Sequence, residues 1–331
     1  VTLLLRFRSE DLLQCRFAIS PLNETADALR SLSRRGAEAY HLTWQRQARR
    51  LVPALGIGPL LAIMSMPGYQ PDFLNPAPDG PFTEIDAELD RVRGTPPAKV
   101  AAELRQCLGE PGSAGRIGGA SAGSAVLREH PELAVDPAEI RHLLADMLHR
   151  AWVALIEPWW QRLRDVLDAD ITFRARRLAD AGVGATLGEL DPKVSWTDGA
   201  VRFAIRGTGE IDVSGTELVL IPSVFCWPNA AVCFDPPAVI YPARGVAGIW
   251  QPDDRSAGDL DRLIGKTRAR LLAALAEPAS TTGLAARTGI PVSSVSEHLS
   301  VLRATGLVAT TRTGRFLVHQ RTALGVALAG G

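Results

Sequence analysis

From residue 259 onward, punctuating residues recur so closely that only short elements fit between them. Residues 259–277 place Leu260, Leu263, Ile264, Leu271, Leu272 and Leu275 on one helical stripe, with Lys266, Arg268 and Arg270 mostly off it, and Pro278 ends that helix. Ser280 has the side chain of an N-cap, and Thr281 and Thr282 fill the turn behind it. Leu284, Ala285 and Ala286 are expected to face inward before Gly289 stops the second helix. The tight turn Gly289-Ile290-Pro291 leads to a third helix through about Ala304, whose Val295, Leu299 and Leu302 repeat at i, i+4 and i+7 and form its buried face. Gly306 closes it. Leu307, Val308 and Thr310, then Phe316 and Val318, make two alternating runs around a Gly-containing turn, which predicts a hairpin, and a last helix is expected over 322–328. Helix, turn, helix and hairpin in this order make a winged helix-turn-helix.

Such a unit is built to touch duplex DNA. The third helix leaves Ser293, Ser294, Ser296, Glu297 and Ser300 on its open side, with His298 and Arg303 beside them. Small hydroxyl side chains let a helix lie close to a groove floor and bond phosphates or base edges. Thr281 and Thr282 add hydroxyls at the start of the second helix, and Arg312 and Arg315 flank the hairpin tip, where a wing meets the backbone. The charge distribution agrees. Residues 260–331 hold nine Lys and Arg against three Asp and Glu; the whole chain carries 36 of each sign, so the preceding residues carry the matching acidic excess.

The run Leu284-Ala285-Ala286-Arg287-Thr288-Gly289-Ile290, followed by Val295-Ser296-Glu297-His298-Leu299-Ser300-Val301-Leu302-Arg303-Ala304-Thr305-Gly306-Leu307-Val308, resembles the ArsR-type transcriptional regulators of bacteria. The Gly314-Arg315 wing and the closing Thr322-Ala323-Leu324-Gly325 match too. The resemblance implies a repressor acting as a homodimer, paired through 260–275 and the last helix, on a near-palindromic operator. Two departures stand out. The family often has Arg or Lys before the third-helix His, where this chain has Glu297. A carboxylate there is repelled by phosphate but can accept from a cytosine amino group. The metal-sensing members carry a Cys-x-Cys-type motif on the second helix, whereas residues 282–287 contain no Cys.

The fold class expected for the whole chain is α+β: a mainly helical N-terminal domain over 1–255 with a small antiparallel sheet, then the winged helix over 259–331. Residues 1–7 have strand composition, Ser9 is expected to cap a helix carrying Leu12, Leu13, Phe17 and Ala18, and Ser20-Pro21-Leu22 opens another through Leu32. The segment Arg16-Phe17-Ala18-Ile19-Ser20-Pro21-Leu22-x-Glu24, with Leu29-Arg30-x-Leu32, resembles the opening of an uncharacterised domain fused ahead of ArsR-type winged helices. Ile221-Pro222-Ser223-Val224-Phe225-x-Trp227-Pro228, Ile240-Tyr241-Pro242-Ala243-Arg244-Gly245 and Trp250 resemble that domain's end. This resemblance implies a regulator of unidentified signal, open to a small-molecule effector. Residues 109–123 read as an exposed loop, and 137–180 as a long helical stretch that Pro158 should kink or split. The β-rich texture begins near Val194, and residues 251–258 read as a linker.

Other constellations carry alternatives. His142, Asp146 and His149 share one helical face and are candidates for a divalent metal, the basis of a rival reading of residues 1–255 as a metal-dependent enzyme; the plainer reading is a solvated polar face. Cys226 and Cys233 form either a redox or soft-metal pair or two buried small hydrophobes. The tryptophans line an apolar effector pocket or pack the core. Arg46, Arg49 and Arg50 make a basic helical run. No nucleotide-binding loop, nucleophile elbow or His-Glu-x-x-His motif occurs, so no cofactor and no catalytic residue is implied. No apolar run reaches membrane-spanning length and no signal peptide is visible, so a cytoplasmic protein without a membrane partner is expected.

Overall fold

The computed structural model describes residues 3–8, 15–33, 41–66, 68–109, 120–197, 200–204, 209–226, 230–234, 236–247, 249–250, 257–313 and 316–329. The fold is α+β, and the chain divides into two compact units, Val1–Trp250 and Gln251–Gly331.

The first unit opens with strands β1 (Leu3–Arg6) and β2 (Arg16–Phe17). Helices α1 (Pro21–Ser33), α2 (Leu42–Leu51), α3 (Gly58–Met64), α4 (Ile85–Gly94), α5 (Pro97–Cys107), α6 (Ala120–Glu129), α7 (Pro137–Ala151) and α8 (Trp160–Gly188) follow. The strands β3 (Val194–Thr197), β4 (Ala200–Phe203), β5 (Gly209–Asp212), β6 (Val219–Ser223), β7 (Ala231–Phe234) and β8 (Pro237–Pro242) complete it. The strands form two four-stranded sheets, ordered β3-β4-β1-β5 and β2-β6-β8-β7. The antiparallel pairs expected from the β-rich stretch are there, β3 with β4 and β7 with β8. Parallel pairs join them, because β1 and β2 arrive from the other end of the chain to pair with β5 and β6.

Helix α1 is the hub of the helical layer. It packs against α3, α4, α7 and β6, and its residues from Pro21 to Leu29 are all buried, polar ones included. The core around it contains Leu22, Leu29, Leu60, Ile63, Leu144, Leu148 and Leu163. Pro158 separates α7 from α8 as expected: the helix widens into a π-turn over Trp152–Ile156, then tightens through Glu157–Trp159. In α8 the backbone leaves the helical region at Gly182, where φ is 79°.

The helix expected behind Ser9 is corrected. Arg16 and Phe17 are strand: the Arg16 and Ala18 amides donate to Leu218 and Leu220 carbonyls at 3.1 and 3.0 Å, a ladder supplied from far along the chain. The rest of that expectation, residues 9–14, lies outside the described residues. The loop expected over 109–123 is corrected at its end. Residues 110–119 lie outside the described residues, but Gly123 is inside α6, so close to Leu108 that a Cβ there would sit 1.8 Å from the Leu108 carbonyl oxygen.

The second unit comprises α9 (Ala257–Ile264), α10 (Lys266–Ala274), β9 (Ala279–Ser280), α11 (Thr281–Thr288), α12 (Val292–Ala304), β10 (Val308–Thr313), β11 (Phe316–Arg321) and α13 (Ala323–Ala329). The single helix expected before Pro278 is two. Gly265, at φ 84° and ψ 143°, breaks it and resets its phase, so Leu263 is 69% exposed while Leu260 and Ile264 pack on the core. Ala286, expected inward, is exposed. The core is Leu271, Leu272, Leu275, Leu284, Val295, Leu299, Leu302, Leu307 and Val308 with Ala279.

Candidate nucleic-acid interface

The helix-turn-helix is α11, the turn at Gly289 to Pro291, and α12. Ser280 caps α11 by accepting from the Gly283 amide at 3.1 Å. Gly289 ends it in the left-handed region, φ 66°, which costs glycine nothing. Pro291, extended at ψ 139°, then starts α12 in a new direction. Val295, Leu299 and Leu302 are buried along α12 and fix its rotation. At about 100° per residue, the face opposite them carries Ser293, Glu297, Ser300 and Ala304, all exposed. Ser296 and Arg303, also exposed, flank that face on one side; Ser294 and His298, both half-buried, flank it on the other.

Not every expected contact is available. Thr281 is engaged inside the unit: its hydroxyl lies 3.0 Å from Nε2 of His319. Thr282 is exposed, its hydroxyl 3.1 Å from that of Ser280. Arg312 is exposed near the end of β10, opposite Leu317 on β11. Arg315 lies outside the described residues.

The wing is a three-stranded sheet with β11 between β10 and β9. His319 is buried in its centre. Besides Thr281, its Nδ1 lies 2.8 Å from the Thr310 hydroxyl on β10. One ring therefore ties the first residue of α11 to the wing. Burial, and after it the Arg303 charge, hold its pKa below the ordinary histidine value. A neutral ring donates to one hydroxyl and accepts from the other.

Two of the unit's cations serve structure. Arg321 donates from Nε to the Leu272 carbonyl and from an Nη to that of Ala273, both at 2.7 Å, and Arg287 donates to that of Ala274 at 2.7 Å. They satisfy the carbonyl end of α10, where positive charge also suits the helix dipole. Sequence reasoning missed these roles and that of His319. The readable signal was a histidine in the inward register of β11, facing the hydroxyl-bearing strand β10.

The other candidates do not assemble. His142, Asp146 and His149 are all exposed, and Asp146 accepts from Arg93 at 3.1 Å. Among the described residues no group of three or more His, Cys, Asp or Glu is placed to hold a metal. Cys226 and Cys233 are buried free thiols whose Sγ atoms face the Ile240 and Asn75 carbonyls. Burial pushes the Cys233 thiol far above its ordinary pKa, which disfavours the thiolate that redox or metal chemistry at this residue needs. Trp44, Trp152 and Trp250 are core residues. The Trp44 indole donates to the Leu155 carbonyl and that of Trp250 to Nδ1 of His41, both at 3.0 Å. Arg46, Arg49 and Arg50 form an exposed face of α2. No helix among the described residues is long and apolar enough to cross a membrane.

Comparison with known families matches residues 263–311 to a helix-turn-helix domain and residues 120–246 to a family of unknown function, DUF5937. No curated protein and no solved structure matches the chain. The C-terminal unit is thus a helix-turn-helix domain of the kind found in DNA-binding regulators.

Proposed function

We propose that the chain is a bacterial, cytoplasmic transcription regulator of the ArsR type, a repressor that binds a near-palindromic operator as a homodimer and does not sense metal through the second-helix cysteine motif. The observation that carries the reading is the open face of α12, where Ser293, Ser300 and Ala304 are exposed and short enough for the helix to enter a major groove. Ser296, Ser294 and His298 extend that face; Thr282, Arg303, Arg312 and Arg315 supply phosphate contacts. Support for self-association comes from Leu263 on α9 and Leu324 and Val326 on α13, exposed at 69, 58 and 42% on the helices that the ArsR resemblance assigns to the dimer. A two-fold dimer reads half-sites about one helical turn apart. An effector that binds residues 1–250 better in one arrangement would shift the population that fits this spacing.

Fluorescence anisotropy of the full chain on its own promoter and on a scrambled duplex, at two salt concentrations, tests the reading. Salt-dependent binding with strong promoter preference is expected. Equal affinity for both duplexes, or none for either, overturns it.

A further inference from the structure

We propose that Glu297 selects a cytosine in the operator, acting as an acceptor aimed at its exocyclic amino group. This rests on the DNA-binding reading above. Glu297 lies opposite the buried Val295, Leu299 and Leu302, at the centre of the open face of α12. Its neighbours along that face, Ser293, Ser300 and Ala304, are all shorter, so the carboxylate projects furthest towards whatever the face meets. Among the described residues no hydrogen bond or ion pair holds it elsewhere.

A carboxylate only accepts hydrogen bonds. In the major groove guanine shows two acceptors, N7 and O6, and thymine shows the O4 acceptor and a methyl group. Both repel or exclude an acceptor. Adenine offers its N6 amino group, but with the N7 acceptor beside it. Cytosine offers N4 with no acceptor of its own alongside. Glu297 is therefore satisfied by cytosine and opposed, in decreasing measure, by guanine, thymine and adenine.

The same charge acts against the wrong DNA. On a random duplex the carboxylate meets phosphate charge without a compensating donor, so it weakens unspecific binding while a cytosine at the right step restores specific binding. A wild-type Glu at this position thus raises the ratio of specific to unspecific affinity rather than affinity itself.

Selection from a random duplex library with the full chain, compared with Glu297→Ala and Glu297→Gln, tests the assignment. The wild type is expected to select a C·G pair at one position of each half-site, and replacing that pair should cost about tenfold in affinity. Glu297→Ala should lose the preference at that position alone and bind scrambled DNA more tightly. Glu297→Gln should move it towards adenine, whose N6 and N7 suit a carboxamide. The same base preferences in all three proteins, or a wild-type preference for an A·T pair at the position that depends on Glu297, would overturn the assignment while leaving DNA binding intact. Binding of no duplex by the wild type would overturn both.

Discussion

Among the described residues the winged-helix core is aliphatic, apart from Thr288 and a single histidine, and it is built within one short stretch of chain; the side-chain tie from Arg321 to Leu272 spans 49 residues. The N-terminal unit is held differently. There α1 buries Asn23, Glu24, Thr25 and Asp27, and these reach across the chain: the Ser223 hydroxyl donates to Asp27 at 2.8 Å and the Val224 amide to Glu24 at 3.0 Å, over separations of 196 and 200 residues. Asp170 and Arg174 form a buried ion pair at 3.1 Å. Arg174 lies over the Tyr241 ring at 4.7 Å, and Asp170 accepts from the Arg244 amide at 3.1 Å. The difference teaches where each unit is vulnerable. Aliphatic burial is forgiving of shape but weakly specific; a buried polar network fixes one arrangement and fails badly when one member is removed.

The units can be probed separately because every tryptophan lies at or before Trp250, so indole fluorescence reports the N-terminal unit alone. The largest effect is expected from Arg174→Ala, which leaves Asp170 charged and buried; a loss of about 3–5 kcal/mol should appear in fluorescence-monitored unfolding. A loss below about 1 kcal/mol would erase the contrast between the units. In the winged helix, His319→Leu strands the hydroxyls of Thr281 and Thr310 and should cost about 1–3 kcal/mol. That loss belongs in the circular-dichroism transition and not in the fluorescence one; a shift in both would show that the units do not unfold independently.

Their pH responses should also diverge. Burial pushes Glu88 up to about 8 from 4.5, against the hydrogen bonds from Ser20 and the Leu22 amide and the charge of Arg91, with Asp79 adding to the rise. The folded state then holds a proton that the unfolded state has released, so the stability this group contributes is fully present below 4.5 and is lost as the pH rises through about 8. His41, lowered by burial from 6.5 to about 4, has the opposite sign, as does the lowered His319: stability is present above 6.5 and lost as the pH falls below it. Above 6.5 both histidines are neutral in either state, and buried carboxyls such as Glu88 dominate. The fluorescence melting temperature should therefore fall between pH 6.5 and about 8, and fall less in Glu88→Gln, which keeps an acceptor for the Leu22 amide. Identical pH profiles would remove Glu88 as the cause. The smallest effect on folding is expected from Arg312→Ala, within about 0.5 kcal/mol in either unit, while the slope of log affinity against log salt on any duplex should drop by about 1. An unchanged slope would take Arg312 out of the interface.

The winged helix was legible because its signals are local. Ser280, Gly289 and Gly306 act within a turn of where they stand, and the 3.6 period of Val295, Leu299 and Leu302 gives the rotation of α12 without reference to anything else. The break at Gly265 was missed because a lone glycine does not by itself end a helical pattern, and the resulting phase change put Leu263 outside. Thr281 suited DNA contact in the sequence, but its partner, His319, is a wing residue 38 positions away. In the N-terminal unit Phe17 satisfied a helical period, yet its strand was decided by β6, about 200 residues on. Nothing near Glu24 or Asp27 announces Val224 or Ser223. On α12 the helical period leaves Ser293, Ser296, Glu297 and Ser300 exposed, whereas Ser294, expected beside them, is half-buried.

The clamp at the carbonyl end of α10 has a mechanical consequence. Arg287 leaves α11 and Arg321 leaves β11, and both finish on three successive peptide carbonyls, Leu272 to Ala274. Two segments that would otherwise slide over the core are pinned to one point, and His319 adds a second pin between α11 and the wing. Soft internal modes are thereby removed. Amide exchange in α10, α11 and β11 should be governed by one common opening event, so the scaffold that carries α12 is expected to move as one piece.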